Sequence, residues 1–232
     1  MTEVVIFGAG GLGGLIDDTL RQTGRYRVVA FLDSDPRKHG RRLYGVPVRG
    51  GIEQIERLRW EGATDAIVAI GENATRVRVA EQLRARGLRL ASAVHPLASI
   101  APSARIGEHV FIGPRATVCV HARIGEHTLI AAGAIVEHDN RIGRGVFVHA
   151  AVRLAGGVHV EDLATLGIGA CVIPGRRIGR RAHVQPGAVV IRDVRPGAHV
   201  GGVPAGLPGP GKPLLRSAQA ESHRPRPQLA TP

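Results

Sequence analysis

A six-residue repeat limits the possible folds of this 232-residue chain more than any other feature of its sequence. From Val94 to Val190 every sixth residue is Ile, Leu or Val, through seventeen units without an insertion. One unit is long enough for a short strand and a corner, and it buries its aliphatic residue only when successive coils stack on one another. With three units per coil the chain would form three flat parallel sheets around a narrow core. The repeat therefore predicts a parallel β-helix of about five to six coils.

The fifth residue of a unit is usually small or β-branched, which leaves room for the aliphatic residue in the narrow core. The exceptions are Asn140 and Arg176. In the unit that contains Asn140, three further polar residues crowd one corner: Glu137, His138 and Asp139. A histidine with a pKa near neutrality is suited to removing a proton, and a neighbouring carboxylate can fix its tautomer. The sequence thus predicts either a catalytic corner or a solvated corner with a surface histidine.

A glycine-rich segment between two apolar strands predicts a nucleotide-type ligand. Residues 3–8 and 26–32 read as strands, with a helix from residue 12 to about 24 between them. The loop before the helix has the spacing G-x-G-x-x-G, with an acidic residue twenty positions later: Gly8, Gly10, Gly13 and Asp33. Such a loop lets phosphates approach backbone amides at a helix N-terminus. Because only one mononucleotide-sized half precedes the repeat, a nicotinamide site is not expected.

Composition narrows the classes of function. The net charge is +12, but the arginines are scattered and no strip of basic and aromatic residues is present, so we do not expect nucleic-acid binding. There is no run of about 18 apolar residues and no signal-peptide pattern, so we expect a cytoplasmic protein without membrane insertion. Cys119 and Cys171 occupy different positions in their units and do not imply a disulfide.

Three segments are predicted. Residues 1–90 contain alternating strands and helices and read as a Rossmann-like α/β domain, and residues 91–206 form the β-helix. Residues 207–232 are rich in Pro, Ser, Gln and Arg, have no periodicity and are predicted to be a disordered tail.

The order of several short motifs resembles that of one enzyme family. The motifs are Phe31-Leu32-Asp33, Gly45-Val46-Pro47-Val48, Ala69-Ile70-Gly71 with Arg76, and Gly202-Val203-Pro204-Ala205 after the repeat. With them the chain resembles the hexapeptide-repeat sugar O/N-acyltransferases, typified by sialic acid O-acetyltransferase and UDP-4-amino-sugar (bacillosamine-type) N-acetyltransferase. The resemblance implies a left-handed β-helix, a homotrimer, and acetyl-CoA as acyl donor without a metal. The implied acceptor is a UDP- or other nucleotide-linked amino sugar, or a free sugar such as sialic acid, acylated on an amine or a hydroxyl group.

The resemblance also implies roles for particular residues. His138 takes the position of the catalytic base, with Asp139 as its carboxylate partner and Glu137 as the second choice. The N–H of Gly156 is the candidate donor to the oxyanion. The implied acceptor-binding residues are Gly8, Gly10, Gly11, Gly13, Asp33, Asp35, Gly71 and Arg76. The implied cofactor-binding residues are Phe147, His149, Ile168, Ile173, Pro186, Gly202, Val203 and Pro204.

Two details depart from the family pattern. The family often has a second histidine about nine residues after the first, but that position is Phe147 here, with His149 two residues later. A coil near the end of the family's β-helix often reads Gly-x-Gly, where this chain has Val184-Gln185-Pro186-Gly187, so contacts with pantetheine are expected to differ there. Arg176, the second exception to the fifth-position rule, either faces the phosphates of CoA or lies on a solvated corner.

Two other functions remain open from the sequence. A hexapeptide β-helix can carry zinc, as in the γ-class carbonic anhydrases, and His109 and His127 are three repeat units apart and would stack on one face. Two ligands do not close a catalytic zinc site, and no two histidines of the repeat have the five-residue spacing of that class. The other possibility is a non-catalytic nucleotide-binding protein that the β-helix assembles into a trimer.

Overall fold

The computed structural model describes residues 1–206, and the predicted tail at residues 207–232 lies outside the described residues. The first domain is a parallel four-stranded sheet with helices packed against it, in the strand order β2-β1-β5-β6. Its elements are β1 (Thr2–Phe7), α1 (Gly11–Thr23), β2 (Tyr26–Leu32), β3 (Arg42–Leu43), β4 (Val46–Pro47), α2 (Ile55–Trp60), β5 (Asp65–Val68), α3 (Asn73–Ala85) and β6 (Arg89–Leu90). Strands β3 and β4 form a small antiparallel hairpin.

The repeat folds into three parallel sheets, and each unit contributes one two-residue strand. Sheet 1 contains β7 (Ala93–Val94), β10 (Phe111–Ile112), β13 (Leu129–Ile130), β16 (Phe147–Val148), β19 (Thr165–Leu166), β22 (His183–Val184) and β24 (His199–Val200). Sheet 2 contains β8 (Ser99–Ile100), β11 (Thr117–Val118), β14 (Ile135–Val136), β17 (Arg153–Leu154), β20 (Cys171–Val172) and β23 (Val189–Val190). Sheet 3 contains β9 (Arg105–Ile106), β12 (Arg123–Ile124), β15 (Arg141–Ile142), β18 (His159–Val160) and β21 (Arg177–Ile178).

Within the repeat, each strand pairs with the strand three units later along the chain, as Ile112 does with Ile130 and Ile130 with Val148. At the carboxyl end the spacing shortens, and β22 pairs with β24. Three units therefore make one coil, as predicted. The second residue of each strand is the repeated aliphatic residue, and these side chains form one continuous buried core with the small fifth residues. The sheets meet along three edges of a triangular prism. Edge A joins sheets 1 and 2, edge B joins sheets 2 and 3, and edge C joins sheets 3 and 1.

The first domain packs on the outer face of sheet 1 and on edge C. Phe111 and Leu129 of sheet 1 share a buried cluster with Ile6 and Phe31 of the first domain. At edge C, the amide of Asn73 in α3 donates to the carbonyl oxygen of Leu163 over 3.0 Å. This packing fixes which side of the prism the nucleotide-type domain covers. No helix of residues 1–206 is long and apolar enough to cross a bilayer.

Candidate active site

The polar corner predicted from the sequence lies on edge B and forms an ordered pair of side chains. His138 Nδ1 is 2.8 Å from Asp139 Oδ2, and both side chains are exposed. The hydrogen bond to His138 lowers the pKa of Asp139, so the carboxylate stays ionised. With its Nδ1–H donated to Asp139, the imidazole presents the lone pair of Nε2 to the outside. This is the tautomer that a general base requires.

Gly156 lies one coil beyond His138, directly under its ring. A Cβ at Gly156 would be 2.4 Å from His138 Nε2, so the close approach of the imidazole requires glycine. Within residues 1–206 the Gly156 N–H donates to no protein acceptor, whereas the N–H groups of Ala155 and Gly157 on either side do. A free N–H beside the base fits the predicted oxyanion donor.

The corner keeps its shape because Asn140 points into the core instead of outward. Its side chain is fully buried, and Nδ2 donates to the carbonyl oxygens of Glu137 (2.9 Å) and Leu154 (3.4 Å). The amide thus ties the turn that carries His138 to the next coil. Its Oδ1 has no hydrogen-bond partner among the described residues, which is a cost that a small residue here would avoid. In this arrangement Asp139, and not Glu137, contacts the imidazole.

The sequence reasoning missed His121, which lies next to Asp139 on edge B. Its Nδ1 is 3.4 Å from Asp139 Oδ1, so the carboxylate lies between two imidazoles. The available signal was the spacing: His121 precedes Asp139 by three units, which is one full coil. Both residues have left-handed backbone angles at the fourth position of a unit, with φ of 61° and 59°.

The glycine loop of the first domain has the geometry that its motif predicts. Gly8 has a φ of +120°, and a Cβ there would be 2.4 Å from the carbonyl oxygen of Ala69. A Cβ at Gly13 would be 2.2 Å from the carbonyl oxygen of Gly8, so this glycine allows helix α1 to pack against the loop. Gly10 is the N-cap of α1, and a Cβ at either Gly10 or Gly11 would meet open space. The N-terminus of a 13-residue helix is therefore accessible to a ligand.

Asp33 and Asp35 hold the loops beside this helix. Asp33 Oδ2 accepts from the Ala9 N–H (2.8 Å) and from Lys38 Nζ (2.7 Å). Asp35 caps a short 3₁₀ helix, and its hydrogen bonds to Arg37 lower the pKa of its carboxyl group to about 2. Both carboxylates border the predicted nucleotide position, and both already have cationic partners.

Arg76, which was expected to bind the acceptor, is completely buried between the domains. Its Nε donates to the carbonyl oxygen of His127 (2.9 Å), and Nη2 donates to that of Gly145 (2.9 Å) and to Asn73 Oδ1 (2.7 Å). Nη1 donates to the carbonyl oxygens of Ile70 and Gly71. With each guanidinium nitrogen bound to protein acceptors, Arg76 ties the first domain to edge C.

Gly71 lines a cleft of about 430 Å³ beneath the first domain, and two of the predicted cofactor residues, Phe147 and His149, line it as well. The rings of Phe147 and His149 stack at 3.7 Å, and burial lowers the pKa of His149 to about 4. The cleft is lined by Gly71, Glu72, Asn73, Ala74, Phe147, His149, Leu163, Thr165, Arg181, Ala182, His183 and His199. His149 is therefore a neutral ring at neutral pH, and it lies on the opposite side of sheet 2 from His138.

The remaining predicted cofactor residues lie on two different edges. Ile168 and Pro186 lie with His149 along edge A, and Ile168 is exposed. Ile173 lies on edge B, one coil beyond Ala155. The segment Gly202-Val203-Pro204 follows β24 and bonds to β23 at the carboxyl end of the prism. The exposed aliphatic residues of edges A and B suit a pantetheine chain, but within one chain they are separated by the width of sheet 2.

Arg176, the second exception to the fifth-position rule, is half-exposed on edge B. Its Nε donates to the carbonyl oxygen of Pro174 over 3.3 Å and lies 4.0 Å from Asp193 Oδ1. In this chain Arg176 therefore lies on a solvated corner of the prism.

The histidine pair considered for zinc is a buried hydrogen-bonded chain between the domains. The N–H of Val68 donates to His109 Nε2 (2.8 Å), so the proton of His109 lies on Nδ1 and is donated to His127 Nδ1 (2.9 Å). His127 Nε2 then faces Glu81 Oε1 at 3.2 Å. Glu81 and Glu126 are also paired with Arg84 and Arg144. The lone pairs that a metal would need are occupied, and the pair serves the domain junction.

The first domain and His138 lie on different sides of one chain. The first domain covers sheet 1 and edge C, and His138 is on edge B, the edge opposite sheet 1. The glycine loop and the catalytic pair of a single chain therefore do not face each other.

Known proteins share this architecture. Residues 3–83 match the family described as PglD N-terminal domain. A variant of perosamine N-acetyltransferase from Caulobacter crescentus, solved with CoA and GDP-perosamine, is 38% identical with a TM-score of 0.86, over 90% of this chain and 98% of the other. The acetyltransferase domain of PglB from Neisseria gonorrhoeae, solved with acetyl coenzyme A, is 28% identical with a TM-score of 0.82, over 88% of this chain and 98% of the other. WeeI from Acinetobacter baumannii, at 22% identity and a TM-score of 0.60, over 89% of this chain and 100% of the other, shares the fold.

These similarities confirm the predicted fold class, a Rossmann-like α/β domain followed by a left-handed parallel β-helix. They also confirm the resemblance that the short motifs indicated. The chain belongs to the family of hexapeptide-repeat sugar acyltransferases.

Proposed function

We propose that the chain transfers the acetyl group of acetyl-CoA to the amine of a nucleotide-linked amino sugar. The observation that carries the proposal is the arrangement on edge B, where His138 Nε2 is free, Nδ1 is bound to Asp139, and the N–H of Gly156, unpaired within the described chain, lies beside the ring. The choice of donor and of an amine acceptor is supported by the relative at 38% identity, a perosamine N-acetyltransferase solved with CoA and GDP-perosamine.

The reaction proceeds by direct transfer. The sugar amine attacks the thioester carbonyl carbon, and His138 Nε2 accepts a proton from the amine. The Gly156 N–H donates to the oxyanion of the tetrahedral intermediate, and Asp139 stabilises the imidazolium. The intermediate then collapses, the C–S bond breaks, and the imidazolium returns the proton to the departing CoA thiolate. The products are the N-acetylated sugar and CoA.

A covalent acetyl-enzyme is disfavoured by the state of the nearest thiol. Cys119 lies near Glu137, and burial together with this carboxylate raises the pKa of the Cys119 thiol. The thiol therefore stays protonated at neutral pH and is a weak nucleophile. This supports a ternary complex in which both substrates are bound when the amine attacks.

We further propose that the active site is completed between copies of the chain in a homotrimer. Two features support this: the glycine loop lies on the far side of the prism from His138, and the predicted cofactor residues divide between edges A and B. If edge B of one copy faced edge A and the first domain of the next, one acceptor could reach both a glycine loop and a His138. The sheet 2 faces carry half-exposed apolar side chains such as Ile135 and Val189 that an interface would cover.

The test of the activity is thiol release from acetyl-CoA with a panel of GDP- and UDP-linked amino sugars, with the product identified by mass. The proposal predicts a mass increase of one acetyl group on the amine of at least one acceptor. Turnover with a hydroxyl acceptor in place of any amine would contradict it.

The test of the shared site is co-assembly of two inactive variants, His138→Ala and a glycine-loop variant, Gly13→Val. A mixed trimer with sites shared between copies regains activity, because some interfaces contain one intact loop and one intact His138. A mixture that stays inactive although mixed trimers form would contradict a shared site.

A further inference from the structure

Three arginines lie in register on the outer face of sheet 3, beside the catalytic pair. Arg105 pairs with Arg123, and Arg123 with Arg141, as Cα partners of neighbouring coils. Neighbouring strands are about 4.8 Å apart, so the three guanidinium groups occupy one short column. The arginines that looked scattered along the sequence are thus collected by the three-unit coil.

This column has no counter-charge of its own in the sheet. Within residues 1–206, none of the three arginines has a carboxylate within ion-pair distance, although Arg177 on the same sheet pairs with Glu161. Like charges directly opposite each other on a sheet are destabilising. An anionic ligand would offset this repulsion, so a column of exposed cations at this spacing is suited to binding one.

The column forms one wall of a cleft of about 340 Å³, which is lined by Ser103, Arg105, His121, Arg123, Asp139 and Arg141. Asp139 belongs both to this cleft and to the catalytic pair, since its other oxygen binds His138. Only the side chain of Asp139 therefore separates the cleft from His138. Three guanidinium groups face one carboxylate, which leaves an excess of two positive charges, and a diphosphate diester carries two negative charges.

We propose that this cleft binds the diphosphate group of the nucleotide-linked acceptor, an inference that rests on the proposed function. In a nucleotide sugar, the diphosphate is attached to the anomeric carbon, so a bound diphosphate fixes the point from which the sugar ring and its amine extend. A diphosphate held by Arg105, Arg123 and Arg141 directs the sugar ring towards the neighbouring edge, where His138 Nε2 accepts the proton. Guanidinium groups suit this role because their planar N–H groups match phosphate oxygens in pairs. The cleft accordingly selects nucleotide-linked sugars over free sugars.

The matched comparison is Arg123→Gln against Arg177→Gln. Both residues are exposed at the same position of a strand in sheet 3, but Arg177 lies outside the cleft and is neutralised by Glu161. We expect Arg123→Gln to raise the KM for the nucleotide-linked acceptor about tenfold, and the double variant with Arg105→Gln about a hundredfold, because a charge-assisted bond to phosphate is worth about one order of magnitude in affinity. The KM for acetyl-CoA and the kcat stay near their wild-type values, and Arg177→Gln behaves as wild type.

An increase in the KM for acetyl-CoA instead would assign the cleft to the diphosphate of the donor and overturn the proposal. An unchanged acceptor KM in the double variant would overturn it as well.

A binding measurement keeps this inference separate from the proposed activity. Calorimetry with inorganic pyrophosphate needs no turnover, and we expect wild-type protein and Arg177→Gln to bind it at least about tenfold more tightly than Arg105→Gln/Arg123→Gln, which keeps only the glycine loop as an anion site. If no amino sugar is acetylated but this pattern of pyrophosphate binding holds, the activity is refuted and the anion site stands. If the double variant binds pyrophosphate as wild type does, the site is refuted whatever the activity.

Discussion

Arg76 provides a sharp test of how the two domains are joined, because the structure gives it a role different from the one expected from sequence. The substitution Arg76→Met keeps most of the length of the aliphatic stem and removes the guanidinium. Five carbonyl oxygens and Asn73 Oδ1 then lose a donor in the buried junction. Burial lowers the pKa of Arg76 to about 9, so at neutral pH the wild-type side chain is still a cation.

The expected change in the free energy of unfolding of Arg76→Met is the balance of two opposing effects. Each buried acceptor left without a donor costs about 1–3 kcal/mol, and four of the acceptors are bound within 3.0 Å by the guanidinium. Removing a buried charge returns several kcal/mol of desolvation cost. The balance predicts a loss of roughly 3–5 kcal/mol in the free energy of unfolding. For a chain of this size, this corresponds to a decrease in Tm of about 6–20 °C.

The measurement is thermal unfolding at neutral pH, with acceptor KM measured on the protein that remains folded at room temperature. Arg78→Met is the matched control, because Arg78 is on the same helix but exposed, and its Tm is expected to change by less than about 2 °C. A wild-type Tm for Arg76→Met together with a large rise in acceptor KM would refute the structural role and restore Arg76 as a substrate ligand.

Other predictions concern the catalytic edge and the buried histidines. Gly156→Ala places a Cβ 2.4 Å from His138 Nε2, so we expect the exposed ring to swing away and kcat to fall by about 10²-fold or more in a protein that remains folded, whereas Ala155→Gly retains activity. Wild-type kcat in Gly156→Ala would contradict the position of the base. Burial lowers the pKa of both His109 and His127 below 6.5, so the unfolded chain binds more protons below that pH and stability falls as the pH decreases, by up to about 1.4 kcal/mol per pH unit for each histidine. Tm measured from about pH 7.5 down to about pH 5.5 checks this. His109→Asn should reduce the slope without abolishing it, because burial also lowers the pKa of His149, and the exposed His159→Gln should leave the slope unchanged. A flat wild-type profile would be inconsistent with a neutral buried pair.

The repeat made most of the prism predictable, because a period of six with one aliphatic residue per unit leaves few alternatives for packing. Val136 and the other repeated residues face the core as expected, and the polar corner after Val136 was visible as a break in the pattern. The glycine loop was predictable for a similar reason: the close contacts of Gly8 and Gly13 exclude any larger residue.

The contacts between coils and between domains were harder to predict, since they depend on which side chains the coil brings into register. His121 and Asp139 meet because they are three units, or one coil, apart, and Arg105, Arg123 and Arg141 are collected in the same way. Because Arg76 is a charged residue within a family motif, the sequence favours a contact with substrate. Its burial depends on how α3 packs on edge C, which the sequence does not show. Once three units per coil are known, comparing residues three units apart in the sequence identifies the His121–Asp139 contact and the arginine column. It does not identify the burial of Arg76.

The central claim, that His138 is the base of an acetyl transfer, is tested most directly by the substitution His138→Asn in a single-turnover experiment. The asparagine keeps a polar side chain of similar position but has no nitrogen lone pair that can accept a proton at neutral pH. With acetyl-CoA and acceptor both bound, as shown by calorimetry, we expect the rate of acetyl transfer to fall by about 10²–10⁴-fold while both dissociation constants stay within a few-fold of wild type. Transfer at the wild-type rate in His138→Asn would contradict the account.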